Sequence, residues 1–189
     1  MGKKRLSLIL GIAVLVLLIL LPFYGSRYTI TTFTRIIYLA FLALSVGTLV
    51  RQGGMISLTQ TAFFGAAGYI IGLLGVERGW VFPLPELIAI LGVLLMAFIL
   101  GLVVMRTHGT VFLMLTLALG QICWAFARQN TSLLHGWAGI RGFRPFTVLG
   151  IDFTNPNNYY WGALGLLLLG LLVLWLITNS PFGLALNGI

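Results

Sequence analysis

Few side chains in this sequence are of a type that performs chemistry. Two histidines and three carboxylates are spread along 189 residues: His108, His135, Glu77, Glu86 and Asp152. None lies in the middle of an apolar stretch, where pumps and carriers place their proton relays. Zinc-protease, serine-hydrolase and P-loop signatures are also missing from the sequence. We therefore expect no enzyme, no catalytic residue, no metal site and no cofactor.

A second chemical pattern consists of uncharged polar groups within apolar sequence. Ser57, Gln60 and Thr61 lie within five residues, and the spacings of three and four place them on one helical surface. Thr116 and Gln121 interrupt another apolar stretch. A polar amide cannot face lipid unsatisfied, so these groups must point into protein or into a wet cavity. They predict either a translocation pathway or hydrogen bonds between helices, each contributing about 0.6 kcal/mol.

The composition indicates the environment of these groups. The chain is 60% hydrophobic and 7% charged, whereas soluble domains are roughly 45–50% apolar and about 25% charged. An integral membrane protein is therefore expected, in contact with lipid, and soluble enzymes and disordered regulators are excluded. The net charge of +8 comes from basic residues that mostly occur singly, so no nucleic acid is expected as a partner. The single cysteine excludes an internal disulfide.

Six apolar stretches are long enough to cross about 30 Å of hydrocarbon as helices. They run at 6–21, 33–50, 57–76, 84–105, 110–127 and 159–177. A signal peptide is the alternative for the first, but bulky residues follow Pro22 where a cleavage site needs small ones. The basic run Lys3-Lys4-Arg5 favours a cytoplasmic N-terminus. The predicted fold is an all-α, polytopic transmembrane helical bundle of about six spans, with both termini cytoplasmic.

Two further features of the sequence indicate contacts, one between helices and one at the membrane surface. Small residues recur at helical spacing in the third stretch, and we predict that Gly65, Gly68 and Gly72 allow close helix packing. Residues 128–158 form the predicted extracytoplasmic loop, which is rich in glycine, proline and aromatic residues. The loop is either a docking surface or a connector that rests at the membrane interface.

Four segments carry a resemblance to a known family. Residues 54–69 read GMISLTQTAFFGAAGY, residues 106–122 RTHGTVFLMLTLALGQI, residues 135–142 HGWAGIRG and residues 180–186 SPFGLAL. In this order they resemble segments of LivM-like permease subunits of branched-chain amino acid ABC importers. The resemblance covers nearly all of the chain after the first stretch. One departure is Thr59, which stands where the family usually has glycine.

The resemblance implies a function and a set of partners. A permease of this kind is a transport subunit without an ATPase site of its own, in a bacterial-type plasma (inner) membrane. It works with a second permease subunit, two cytoplasmic ATPase subunits and an extracytoplasmic solute-binding protein. Trp137 and Arg141, in the segment that matches the family's outer loop, are the candidate contacts for the binding protein.

The end of the chain sets a further expectation. Family members continue after the SPFG segment with an arginine-rich loop that engages the ATPase, and this chain stops at Ile189. We therefore expect 1–189 to be a single transmembrane permease domain that is truncated. Two alternatives stay open: a urea or short-amide ABC permease, and a membrane fragment without transport activity.

Overall fold

The computed structural model describes residues 11, 14–23, 25–142, 147–148 and 151–180. Its helices are α1 (Val14–Phe23), α2 (Arg27–Gly53), α3 (Gln60–Gly72), α4 (Leu84–Val104), α5 (Gly109–Gln129), α6 (Thr131–Leu134) and α7 (Pro156–Asn179). A π-helical segment, Leu73–Glu77, continues α3. Two two-residue strands, β1 (Thr147–Val148) and β2 (Ile151–Asp152), pair antiparallel between α6 and α7. Apart from that short hairpin, the regular secondary structure of the described chain is helical, as predicted.

Four of the described helices, α2, α4, α5 and α7, are long and apolar enough to cross a membrane. The described part of α1 is a shorter apolar helix, and α3 has only 13 residues before its π-helical continuation. The six-span topology and the cytoplasmic termini therefore stay predictions. The basic run Lys3-Lys4-Arg5 and the segment 181–189 lie outside the described residues.

The outer surfaces of these helices are apolar. The most hydrophobic of the four long helices is α4, which exposes large hydrophobic side chains around most of its circumference. They include Leu87, Ile90, Leu91, Leu94, Leu95 and Phe98. A helix that is hydrophobic all round is suited to a membrane rather than to water. Together with its four long apolar helices, this makes the chain a multi-pass membrane protein.

One packed group joins α1, α2 and α7. Its buried core consists of Ile30 and Ile37 from α2 with Tyr160, Ala163, Leu164 and Leu167 from α7. Leu18, Ile19 and Leu21 of α1 pack against it. The α7 residues recur at spacings of three and four, so one stripe of that helix faces α2. Asn155 begins α7 by accepting a hydrogen bond from the backbone N–H of Asn157.

A hydrogen bond within this group compensates for a proline. Pro22 lies in the last turn of α1 and has no N–H to donate to the carbonyl of Leu18, four residues earlier. The hydroxyl of Tyr160, which is completely buried, donates to that carbonyl at 2.7 Å. Tyr160 therefore links α7 to α1 through a backbone group that α1 cannot satisfy itself.

The second packed group consists of α3, α4 and α5. Helices α3 and α4 run side by side, and Gly92 of α4 faces Ile70 so closely that an added Cβ would lie 2.9 Å from its Cδ1. Helix α5 contacts both α3 and α4, and α2 contacts α3. The third predicted stretch began at Ser57, but α3 begins at Gln60 because residues 55–58 are not helical.

Candidate functional site at the start of α3

Helix α3 begins beside the second turn of α5, a helix that is long and apolar enough to cross a membrane. The hydroxyl of Thr59 donates to the carbonyl of Thr116 at 3.0 Å. Thr116 lies seven residues after Gly109, where α5 begins, which is about 10 Å along the helix axis. The 13 residues of α3 cover about 20 Å more, so both lengths together match the hydrocarbon thickness. The non-helical segment 55–58 therefore lies inside the span of α5.

Thr116 holds that segment in place. Its hydroxyl donates to the carbonyl of Leu113 at 3.0 Å and accepts the backbone N–H of Leu58 at 3.4 Å. The side chain is 2% exposed. Non-helical backbone at membrane depth is tolerated only where it is buried in protein or lines a wet cavity. Thr116 satisfies one backbone group of this segment, the N–H of Leu58. Its single hydroxyl proton is already donated to the Leu113 carbonyl.

Four polar groups at the start of α3 have no hydrogen-bond partner among the described residues. Ser57 is 8% exposed, and its hydroxyl makes no hydrogen bond there. The Gln60 side-chain oxygen Oε1 is buried and also unpartnered. The backbone N–H groups of Gln60 and Thr61 find no acceptor either, whereas those of Ala62 and Phe63 donate to the Thr59 carbonyl. Oε1 of Gln60 is the one of these four that is shown to be a buried atom, and leaving such a group unsatisfied costs about 1–3 kcal/mol.

The other predicted pathway residues are arranged differently. Thr61 is exposed and donates its hydroxyl to the carbonyl of Leu58 at 3.1 Å, within its own turn. Gln121 is also exposed, and five helical steps place it about 140° around α5 from Thr116. The structure thus brings the segment that contains Ser57 and Gln60 beside Thr116, through Leu58 and Thr59, and leaves Gln121 on another face of α5. The pathway role of all five residues stays a prediction.

Thr59 is the residue that the sequence patterns did not select. It is 4% exposed and makes the hydrogen bond that joins α3 to α5. The available signal was its position between two selected residues, Ser57 and Gln60. A glycine at position 59 would have no hydroxyl to donate, so this contact depends on the threonine side chain.

The three glycines of α3 do not have the same surroundings. Gly72 is buried, but a Cβ added at Gly65 or Gly68 would have no atom within 4 Å. The faces of Gly65 and Gly68 are therefore open in the described chain. Their close-packing role stays a prediction that requires a helix outside the described residues.

At its far end, α3 meets the loop that follows α5. The carboxylate of Glu77, the last residue of the π-helical segment, lies 3.3 Å from Nδ1 of His135. The two residues border a shallow concavity of about 400 Å³ that also includes Val76 and residues 138–141. This contact joins the start of the loop to the end of the π-helical segment that continues α3.

The same loop carries the two residues predicted to contact a binding protein. Trp137 is 84% exposed, and Arg141 is exposed with its Nε–H donating to the carbonyl of Ala138 at 3.3 Å. The guanidinium of Arg128, at the end of α5, lies between two indoles: 2.9 Å from the ring centre of Trp137 and 4.2 Å from that of Trp124. Cations that stack on indole faces are stabilised electrostatically. This end of the molecule therefore presents exposed indole surface beside positive charge.

Histidine, cysteine and carboxylate side chains do not cluster elsewhere in the described part of the chain. No group of three histidine, cysteine, aspartate or glutamate side chains there is placed to hold a metal ion. Helix α5 carries no charged residue before Arg128, and residues 55–61 carry none. The start of α3 can therefore act on another molecule only through neutral hydrogen-bonding groups and the charge of the helix end.

Comparison with known proteins gives two similar sequences. The high-affinity branched-chain amino acid transport system permease protein LivM of Escherichia coli (strain K12) is 30% identical over 153 residues, which is 81% of this chain and 35% of the relative. The protein of the same name from Salmonella typhimurium is 28% identical over 160 residues, 82% of this chain and 36% of the relative. The chain spans about a third of the length of these curated relatives. No family model matches the sequence, and no solved structure matches it.

Proposed function

We propose that this chain, which is LivM-like over 81% of its length, forms part of the membrane-spanning permease of an ABC importer for branched-chain amino acids. In this role it translocates a solute that an extracytoplasmic binding protein delivers. The chain hydrolyses no nucleotide itself. A second permease subunit completes the membrane unit, two cytoplasmic ATPase subunits supply the energy, and the complex lies in a bacterial-type plasma (inner) membrane.

The observation that carries this proposal is the interrupted helix at the start of α3. Many secondary transporters place their binding sites near the middle of the membrane, at discontinuous helices whose free ends face the solute. Here α3 starts about 10 Å inside the span of α5, with Ser57 and Gln60 unpartnered beside it. Such groups offer a passing solute hydrogen bonds without a fixed charge that would hold it.

The test uses the full-length protein with its partner subunits, reconstituted in vesicles that contain ATP. The variant is Gln60→Leu, which removes the unpartnered amide and keeps a similar volume. Gln129→Leu is the matched control, because Gln129 is exposed at the end of α5. We expect Gln60→Leu to reduce ATP-dependent leucine uptake at least tenfold, with normal membrane abundance and co-purification of partners. The control variant should transport leucine normally.

Other outcomes would assign a different role. Unaltered leucine uptake, or loss of partner assembly, in Gln60→Leu would assign Gln60 to helix packing. Uptake of urea or short amides in place of leucine by the wild-type complex would move the chain to the related class of amide permeases. A wild-type complex that assembles but accumulates none of these solutes would support the membrane fragment without transport activity.

A further inference from the structure

The first turn of α3 is left without a side-chain cap. Thr59 occupies the capping position, but its backbone is already helical and its hydroxyl is directed to the Thr116 carbonyl instead. The N–H groups of Gln60 and Thr61 consequently lack an acceptor in the described chain. These two N–H groups and the helix dipole make the end of a helix attractive to an anion.

A second observation is independent of the helix end. Ser57 is more than nine-tenths buried, lies in the segment that leads into α3, and has a hydroxyl without a partner in the part of the chain that the structure describes. The buried Oε1 of Gln60, at the first helical residue, also lacks a donor. The same turn therefore offers donors, which suit an anion, and an acceptor, which suits a cation.

The lack of charged side chains on the two segments at the start of α3 favours a ligand without net charge. Residues 55–61, which lead into α3, and the membrane-embedded part of α5 opposite them contain no charged side chain. A single ion here would find no counter-charge on either of these two segments, and burying an uncompensated ion in a low-dielectric interior is very costly. A head group that carries both signs brings its own counter-charge. The start of α3 thus fits a zwitterion better than an anion or a cation alone.

We propose that the first turn of α3 binds the zwitterionic head group of an α-amino acid. The backbone N–H groups of Gln60 and Thr61, with the Ser57 hydroxyl, donate to its carboxylate. Oε1 of Gln60 accepts a hydrogen bond from its ammonium group. This inference rests on the proposed permease function and adds the part of the solute that is recognised and the groups that recognise it.

The test measures binding to the full-length protein, purified with the subunits that accompany it and without a binding protein. Radiolabelled leucine is the probe at neutral pH. Unlabelled 3-methylbutylamine, which lacks the carboxylate, and 4-methylpentanoate, which lacks the ammonium group, compete with it. We expect each analogue to require at least a tenfold higher concentration than unlabelled leucine for half-displacement. Equal potency of the three competitors, or no leucine binding at millimolar concentration, would overturn the proposal.

Two variants identify the groups. Gln60→Leu should weaken leucine at least tenfold and leave 4-methylpentanoate unchanged, because only the ammonium contact is lost. Ser57→Ala should weaken leucine and 4-methylpentanoate but not 3-methylbutylamine. Gln129→Leu, at the exposed end of α5, is the control and should bind all three like the wild type. A Gln60→Leu variant that weakens all three ligands equally would contradict the head-group assignment.

The results separate this inference from the proposed function. ATP-driven leucine uptake by a wild-type complex that does not distinguish the three competitors would leave the permease role intact and refute head-group binding. Head-group discrimination without any uptake would refute the transport role instead. If Gln60→Leu does not fold, the competition series on the wild-type protein still decides the question.

Discussion

Removing one oxygen atom from Tyr160 tests the packing of α1, α2 and α7. In Tyr160→Phe, the carbonyl of Leu18 loses the hydroxyl that donates to it at 2.7 Å. Pro22 occupies the position in α1 whose N–H would otherwise donate to this carbonyl, so the usual helical donor is missing. The carbonyl is therefore left unsatisfied in a low-dielectric environment, where such groups are costly.

The expected loss in the free energy of unfolding follows from the average and the largest hydrogen-bond energies measured between membrane helices. Hydrogen bonds between membrane helices contribute about 0.6 kcal/mol on average and up to about 1.7 kcal/mol in bacteriorhodopsin. The Leu18 carbonyl has no other donor in its helix, so we expect a loss near the upper limit, about 1.5 kcal/mol, in the free energy of unfolding. Tyr28→Phe deletes the same atom from an exposed tyrosine and should change that free energy by less than about 0.5 kcal/mol.

The assay is reversible unfolding in lipid bicelles, carried out as a double-mutant cycle with Pro22→Ala. An alanine at position 22 restores an N–H four residues after Leu18. Tyr160→Phe should then cost less than about 0.5 kcal/mol, which gives a coupling energy of about 1 kcal/mol between positions 22 and 160. An equal cost of Tyr160→Phe in both backgrounds would refute the idea that the tyrosine replaces the donor that proline lacks.

Three further predictions concern the loop, the partner and the topology. Gly136→Ala should weaken docking of the binding protein more than Gly139→Ala does. Both glycines have positive φ, but only at Gly136 would an added Cβ meet backbone, 2.9 Å from the carbonyl oxygen of Arg128. Equal effects of the two substitutions in a pull-down assay would contradict this prediction. Gly68→Leu should prevent co-purification of the second permease subunit, whereas Gly165→Leu, at a similarly open site on α7, should not. A reporter that is active only outside the cytoplasm should be active when fused after Asn155, and a silent fusion there would contradict the proposed orientation.

The sequence predicted the uniform apolar helices well. The stretch 84–105 corresponds to α4 at Leu84–Val104, because length and hydrophobicity alone define such a helix. The start of α2 was placed six residues too late, at Phe33 rather than Arg27, because its first turns are rich in threonine. Thr31 and Thr32 donate their hydroxyls to helix carbonyls four residues earlier, so these polar residues are compatible with the helix.

The candidate site was predictable only in part. The polar run indicated that Ser57 and Gln60 avoid lipid, since an unsatisfied amide is costly there. The delayed start of α3 depends on the bonds from Leu58 and Thr59 to Thr116, which join residues 57 or more positions apart. No local pattern reports such a pairing. The contact between α2 and α7 was unpredictable for the same reason, because periodicity shows which face is apolar and not which helix covers it.

The pairing of α1 with α7 also has a consequence in time. Tyr160 follows Leu18 by 142 residues. At a synthesis rate of roughly 5–20 residues per second, Tyr160 is synthesised about 7 to 30 seconds after Leu18, whose carbonyl accepts its hydroxyl proton. The contacts among α3, α4 and α5 involve chain segments synthesised earlier, so that group can assemble first. During the interval α1 and α2 are in the membrane without their main partner, and α7 closes the bundle when it arrives.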